Sequence, residues 1–314
     1  MVAIEIVVRG NKYKLSPITE DYLISSPSRE PTSADEGLGS ADDDSKPEHF
    51  NHPPAFEPRY ATALRKLRRT SRELFPQNLP SFEATHQGML GDCPFVSTVG
   101  AMVYRNPAAV KAMVTQNDNG TFTVTLGGGR IIKINSLTDA DIALWSSAGT
   151  NGLWFTVLEK AYRRILLTSD PKMHQKVLDI YDKFSSSKTI EILDGHQTRK
   201  VEIRNIRMSS AQLDGLRKEL VAALREHLLV KARTPAGTKI RGITPDHEYA
   251  ILGYYRDTDL VRVWNPHGNN FTPKGPDGLQ NGYTTRTGEF DIPFKDLLQI
   301  FSDLTFETHI AVRN

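Results

Sequence analysis

The chain has 314 residues, 39% of them hydrophobic and 24% charged, with a formal net charge of +2 at pH 7 and one cysteine. That length and apolar content can bury one or two cores, and the balanced charge gives no electrostatic case for nucleic acid or a membrane surface as partner. A single cysteine excludes an intrachain disulfide framework and a zinc-type cysteine cluster, and no apolar run approaches the roughly 20 residues that cross a bilayer.

The opening Met1-Val2-Ala3-Ile4-Glu5-Ile6-Val7-Val8-Arg9 alternates like a strand and turns at Gly10-Asn11, giving a β-like segment over residues 1–24. It lacks the basic start and clean apolar stretch of a signal peptide, so a cytoplasmic location is expected. Residues 25–58 are rich in Ser, Pro, Asp and Glu, including Ala41-Asp42-Asp43-Asp44-Ser45, and read as a disordered linker. An arm that covers a cleft, or is cut to release one, is the functional alternative. Arg65-Lys66-Leu67-Arg68-Arg69 reads as the solvated face of a helix leading into the core.

The rest of the chain predicts an α+β fold in two lobes. The first, residues 59–168, holds a helix after Cys93, a hairpin from Thr121 through Gly127-Gly128-Gly129 to Ile134, and an amphipathic helix from Leu153 to Leu167. The second, residues 169–314, begins with a charged insertion over 169–208, expected to form a hairpin turning at Asp194-Gly195. A helix follows with Leu213, Leu216, Leu220, Leu224 and Leu228 on one face. Strands are expected at Leu228 to Ala232, His247 to Tyr255 and Asp259 to Trp264, then a short helix from Pro293 to Phe301 and a final strand from Leu304 to Val312. The second lobe is therefore mainly antiparallel sheet, and a cleft between the lobes suits an extended protein or peptide substrate.

Gln87-Gly88-Met89-Leu90-Gly91-Asp92-Cys93-Pro94-Phe95 sets the one cysteine where a turn becomes a helix. A lone cysteine is most often a small buried hydrophobe, but two glycines and an aspartate describe a tight, exposed turn where a structural thiol gains nothing. At a helix N-terminus a thiolate meets unpaired N–H groups and a positive dipole end, which lowers its pKa. Gln87, six residues upstream, is placed to donate its amide to an oxyanion together with the Cys93 N–H.

A cysteine nucleophile needs a histidine and a group that orients it. Of nine histidines, His247 opens an apolar strand, and the returning strand ends at Asn265. In a hairpin the two come together, so Asn265 can accept from one imidazole nitrogen while the other faces Cys93. His86 lies too close in sequence to Cys93 to face it freely, and His267 sits in the loop beyond the strand.

These residues resemble the calpain-type cysteine proteases, which are papain-like in their chemistry. Gln87 to Cys93 resembles the family's nucleophile block, Leu153-Trp154-Phe155-Thr156-Val157-Leu158-Glu159-Lys160-Ala161-Tyr162 its Trp-containing helix, and His247 to Gly268 its histidine strand and asparagine loop. The resemblance covers about residues 70–312. It implies a two-lobed core and an endopeptidase with Cys93 as nucleophile, His247 as general base and acid, Asn265 as orienting residue and Gln87 as oxyanion donor.

The chain departs from that pattern at several places. The tryptophan that follows the family's cysteine is Pro94, and that of its Asn-Pro-Trp-Gly loop is His267, so the shielding of the Asn–His contact is altered. Where animal members carry a calcium-binding acid nine residues before the cysteine, this chain has Ala84, with Glu83 alongside. The partner acid matches Glu159, which is equally explained as an exposed helix residue four before Arg163. Only Glu289 corresponds to the acidic run of a second calcium site. Calcium remains possible, yet a core without metal or other cofactor is expected, acting as a monomer. Two alternatives to an endopeptidase stay open: a papain-like acyl transferase or amidase, and a catalytically weak binding module that keeps the fold.

Overall fold

The computed structural model describes residues 4–8, 11–15, 56–88, 91–169, 185–204 and 208–312. The linker expected over 25–58 falls outside them except at its last three positions. Two compact units divide the chain at His52 and Pro53. The first contains a hairpin of β1 (Ile4–Val8) and β2 (Asn11–Leu15), with Val8 opposite Asn11.

The second unit runs α1 (Phe56–Arg69), α2 (Cys93–Arg105), α3 (Pro107–Ala112), β3 (Val114–Gln116), β4 (Phe122–Leu126), β5 (Arg130–Ile134), α4 (Asp139–Leu144) and α5 (Trp154–Ser169). It continues through α6 (Ser186–Leu193), β6 (His196–Glu202), α7 (Ser210–Arg225), β7 (Val230–Arg233), β8 (Glu248–Tyr255), β9 (Leu260–Trp264), β10 (Glu289–Pro293), α8 (Phe294–Ile300) and β11 (Asp303–Ala311). Strands β3 to β5 form a small antiparallel meander, and a six-stranded antiparallel sheet has the order β10-β9-β8-β7-β11-β6. None of the described helices is long and apolar enough to cross a membrane.

The large sheet separates two cores, and the two-residue period of its strands decides which side chain serves which. In β8, Ala250 and Leu252 join a core built by α2, α5 and α6, while Tyr249 and Ile251 face the other core with α7 and α8. In β7, Val230 and Ala232 face the α7 side, so Lys231 between them is turned toward α2. The Trp264 ring lies against α2 at Gly100, where a Cβ would stand 2.3 Å from the ring, so only glycine admits the indole there.

Helix α2 is tied to the sheet at its far end. Arg105 reaches Asp194 at 2.9 Å, Glu307 of β11 at 3.0 Å and the carbonyl oxygen of His227 at 2.6 Å.

The hairpin expected around Asp194-Gly195 does not form. Thr189, Ile190 and Leu193 are buried at helical spacing in α6, and β6 pairs across the sheet with β11 instead of with a neighbour in sequence. Gly195, at φ +83°, crosses Gly127 and Gly128 so closely that a Cβ on it would stand 2.6 Å from the Gly128 nitrogen. Helix α7 ends at Arg225, and His227 at φ +58° turns the chain before Leu228. Lys66 also departs from expectation: it is half-buried, with Nζ donating to the carbonyls of Ala143 (3.4 Å) and Trp145.

Candidate active site

Cys93 opens α2 as its first residue, and Asp92 rather than Cys93 is the N-cap, with Pro94 in the first turn. The N–H groups of Phe95 and Val96 return to the Asp92 carbonyl at 2.8 and 3.1 Å, so the helix starts without a side-chain cap. That frees the Asp92 carboxyl. It is completely buried instead of standing on an exposed turn, within 3.3 Å of the Ser146 hydroxyl and hydrogen-bonded to Glu159.

Upstream, the Gln87 N–H donates to the Pro266 carbonyl at 3.1 Å, joining the nucleophile loop to the asparagine loop. Gly88 passes so near residue 145 that a Cβ would lie 2.6 Å from the Trp145 carbonyl. Met89 and Leu90 lie outside the described residues.

His247 stands just before β8 and Asn265 just after β9, both buried. Nε2 of His247 and Oδ1 of Asn265 are 2.9 Å apart. The same Oδ1 accepts from the His267 N–H at 3.0 Å, and the Asn265 amide reaches Thr244 Oγ1 at 3.4 Å, so the carboxamide is held on both sides. This leaves Nδ1 of His247 as the ring nitrogen that Asn265 does not engage. Helix α2, which Cys93 opens, packs on β8, the strand that begins directly after His247. His247 and Asn265 are thus brought together, Gln87 is tied to the asparagine loop, and the helix that Cys93 opens packs on the strand following His247.

The aromatic shield missing from the sequence is supplied by imidazole. The His267 ring lies over His247 with centroids 4.2 Å apart, and Tyr249 meets His247 edge-on at 5.2 Å.

Burial pushes the Cys93 thiol up to about 12; the Glu248 N–H and the Lys231 ammonium act against that rise, and the Glu248 and Asp92 carboxylates add to it. Burial also pushes His247 down to about 3, aided by His267 and opposed by the bond to Asn265. Burial thus favours the uncharged form of both the thiol and the imidazole.

Glu159 is not an exposed helix residue. Burial and the neighbouring Asp92 raise its pKa well above the carboxylate range, while the Ser146 N–H donates to it at 2.6 Å. Asp92 and Glu159 form one pair sharing a proton, and the Lys66 ammonium is close enough to act on both. At the position of the family's first calcium site Ala84 offers no ligand and the Lys66 ammonium already lends a positive charge, while Asp92 Oδ1 and Glu159 Oε1 are buried without a hydrogen-bond partner. At the second position, Asp291 beside Glu289 in the same strand is held by Arg262 through two contacts of 3.0 Å. Asp194, His196 and Glu307 also converge closely enough for a metal, but Arg105 bridges both carboxylates.

Sequence reasoning overlooked Lys231 and Glu248. The signal was a lysine inside the apolar run Leu228-Leu229-Val230-Lys231-Ala232, at the one register that points toward α2.

A model of the calpain family cysteine protease matches residues 65–306. The calpain-type cysteine protease DEK1 of Zea mays is 26% identical over 209 residues, which is 60% of this chain and 9% of that protein. The calpain-type cysteine protease ADL1 of Oryza sativa subsp. japonica is 27% identical over 210 residues, with the same shares. The chain therefore spans about a tenth of the length of these curated relatives.

Proposed function

The chain belongs to the calpain family of cysteine proteases, and on that premise we propose that it is an endopeptidase working through Cys93, His247 and Asn265. Cys93 gives its proton to Nδ1 of His247 and attacks the peptide carbonyl. Gln87 and a backbone N–H stabilise the oxyanion, and His247 then protonates the leaving amine. Water activated by the same imidazole hydrolyses the thioester and restores the thiol.

The single observation that carries this reading is the 2.9 Å contact between His247 Nε2 and Asn265 Oδ1, at the start of the strand on which the Cys93 helix packs. It fixes the imidazole so that its second nitrogen is the one left for proton exchange. The substrate is an unfolded protein or peptide, and no metal or other cofactor is needed.

The test compares wild type with Cys93→Ala on a denatured protein substrate, with circular dichroism as the check on folding. Loss of new peptide termini with an intact fold is expected; equal turnover by the variant overturns the assignment. A second reading, a binding module without catalysis, is favoured by the strongly raised thiol. Wild-type Cys93 that alkylates no faster than free cysteine would support that module instead.

A further inference from the structure

Lys231 has no exposed surface and lies in the middle of a six-stranded sheet. A buried ammonium is retained only where its hydrogens are taken up and its charge is answered. Its Nζ donates to the Pro94 carbonyl oxygen at 2.7 Å and to Thr98 Oγ1 at 2.9 Å, both within the first turns of α2. The nearest carboxylate, Glu248, stands 3.9 Å away, beyond direct hydrogen-bonding distance, and is itself engaged by the Ser186 hydroxyl. Two hydrogens of the ammonium are thus used on the nucleophile helix, and the charge is only partly met by a carboxylate.

Another group in this corner that can become negative is the Cys93 sulfur. It belongs to the residue before Pro94, whose carbonyl oxygen takes one of the ammonium's hydrogens. The titratable groups around it are Asp92 on its own turn, Lys231 from β7, and His247, Glu248 and Tyr249 from the start of β8. His247 is uncharged before it takes the proton, so of these groups only Lys231 brings a positive charge to the resting site.

We infer that Lys231 is a positioning residue for the nucleophile: its ammonium, seated on the first turns of α2, supplies the fixed positive charge against which the Cys93 thiolate forms. In that step the S–H bond of Cys93 breaks, the proton goes to Nδ1 of His247, the electron pair stays on sulfur, and Lys231 keeps all three of its hydrogens. Burial is the larger influence on both groups, pushing Lys231 down to about 8 and the thiol up, and against it each acts on the other, Lys231 drawing the thiol pKa down and Cys93 drawing the lysine pKa up. The inference rests on Cys93 as nucleophile.

Because the chain has one cysteine, the rate of iodoacetamide alkylation against pH reports on Cys93 alone and needs no substrate. A failure of the endopeptidase reading therefore leaves this test intact. Lys231→Met removes charge and contacts; Lys231→Gln removes charge and keeps a donor for Pro94; Thr98→Val removes a contact and keeps charge. The midpoint is expected to rise by about one pH unit in both lysine variants, with an about tenfold slower reaction at neutral pH, and to stay in place in Thr98→Val. A folded Lys231→Gln with the wild-type midpoint overturns the inference. So does a Thr98→Val variant that moves the midpoint by a full unit, and that arm decides the matter even if the lysine variants do not fold.

Discussion

The imidazole of His267 stacks over that of His247 at 4.2 Å, and its own N–H holds the Asn265 oxygen that His247 needs. One residue thus covers the base and helps to fix the group that orients it. His267→Ala keeps the backbone N–H but removes the ring. His247, now better hydrated and without the neighbouring imidazole, is expected to titrate at higher pH, measured by NMR of the ring protons. Activity is expected to fall about tenfold in kcat, the scale of a base still bonded but less firmly aimed.

Gln87 is tethered through its backbone to Pro266, so replacing its side chain leaves the loop in place. Gln87→Ala is expected to lower kcat by about 10² to 10³ with KM little changed, as for loss of one oxyanion donor. Steady-state kinetics on a fluorogenic peptide checks this; a change confined to KM would place Gln87 in substrate binding.

Glu159 gives a pH signature in stability. Its folded pKa lies above the unfolded value of 4.5, so between the two the native state keeps a proton that the unfolded chain has released. Stability from this group is complete below pH 4.5 and is lost as pH rises through the folded pKa, at about 1.4 kcal/mol per pH unit for one proton. Glu159→Gln, which offers Asp92 an amide donor in place of the shared proton, is expected to flatten that slope in urea unfolding. His86, His247 and His267, all with lowered pKa, contribute the opposite slope to both proteins and cancel in the difference.

Millimolar chelator is expected to leave peptidase activity within twofold of the untreated enzyme, because a lysine and a shared proton answer the charge beside the nucleophile turn. A larger loss restored by calcium would mean that Asp92 and Glu159 release their proton to a metal after all.

The parts of the site legible in the sequence were those whose chemistry is announced locally. Cys93 sits at a turn-to-helix junction, and His247 and Asn265 sit at the ends of strands that alternate plainly. The buried charges were not legible. Glu159 and Lys66 carry the residue types of solvated helix faces, and only the packing of α1 and α5 around residues 143–147 turns them inward. Lys231 was visible as an oddity in an apolar run, but its meaning depends on α2 lying across β7, a contact between residues 133 to 137 positions apart. The hairpin expected at Asp194-Gly195 gave way to α6 for a related reason: a short apolar run reads equally as helix or strand until the neighbour it packs on is known.

Lys231 and Arg105 fasten α2 to the sheet at its first and last turns. A rod held at one end can swing; a rod held at both must detach outright, stripping a lysine and an arginine of their oxygen partners together. The nucleophile helix therefore has little play against the sheet that carries His247.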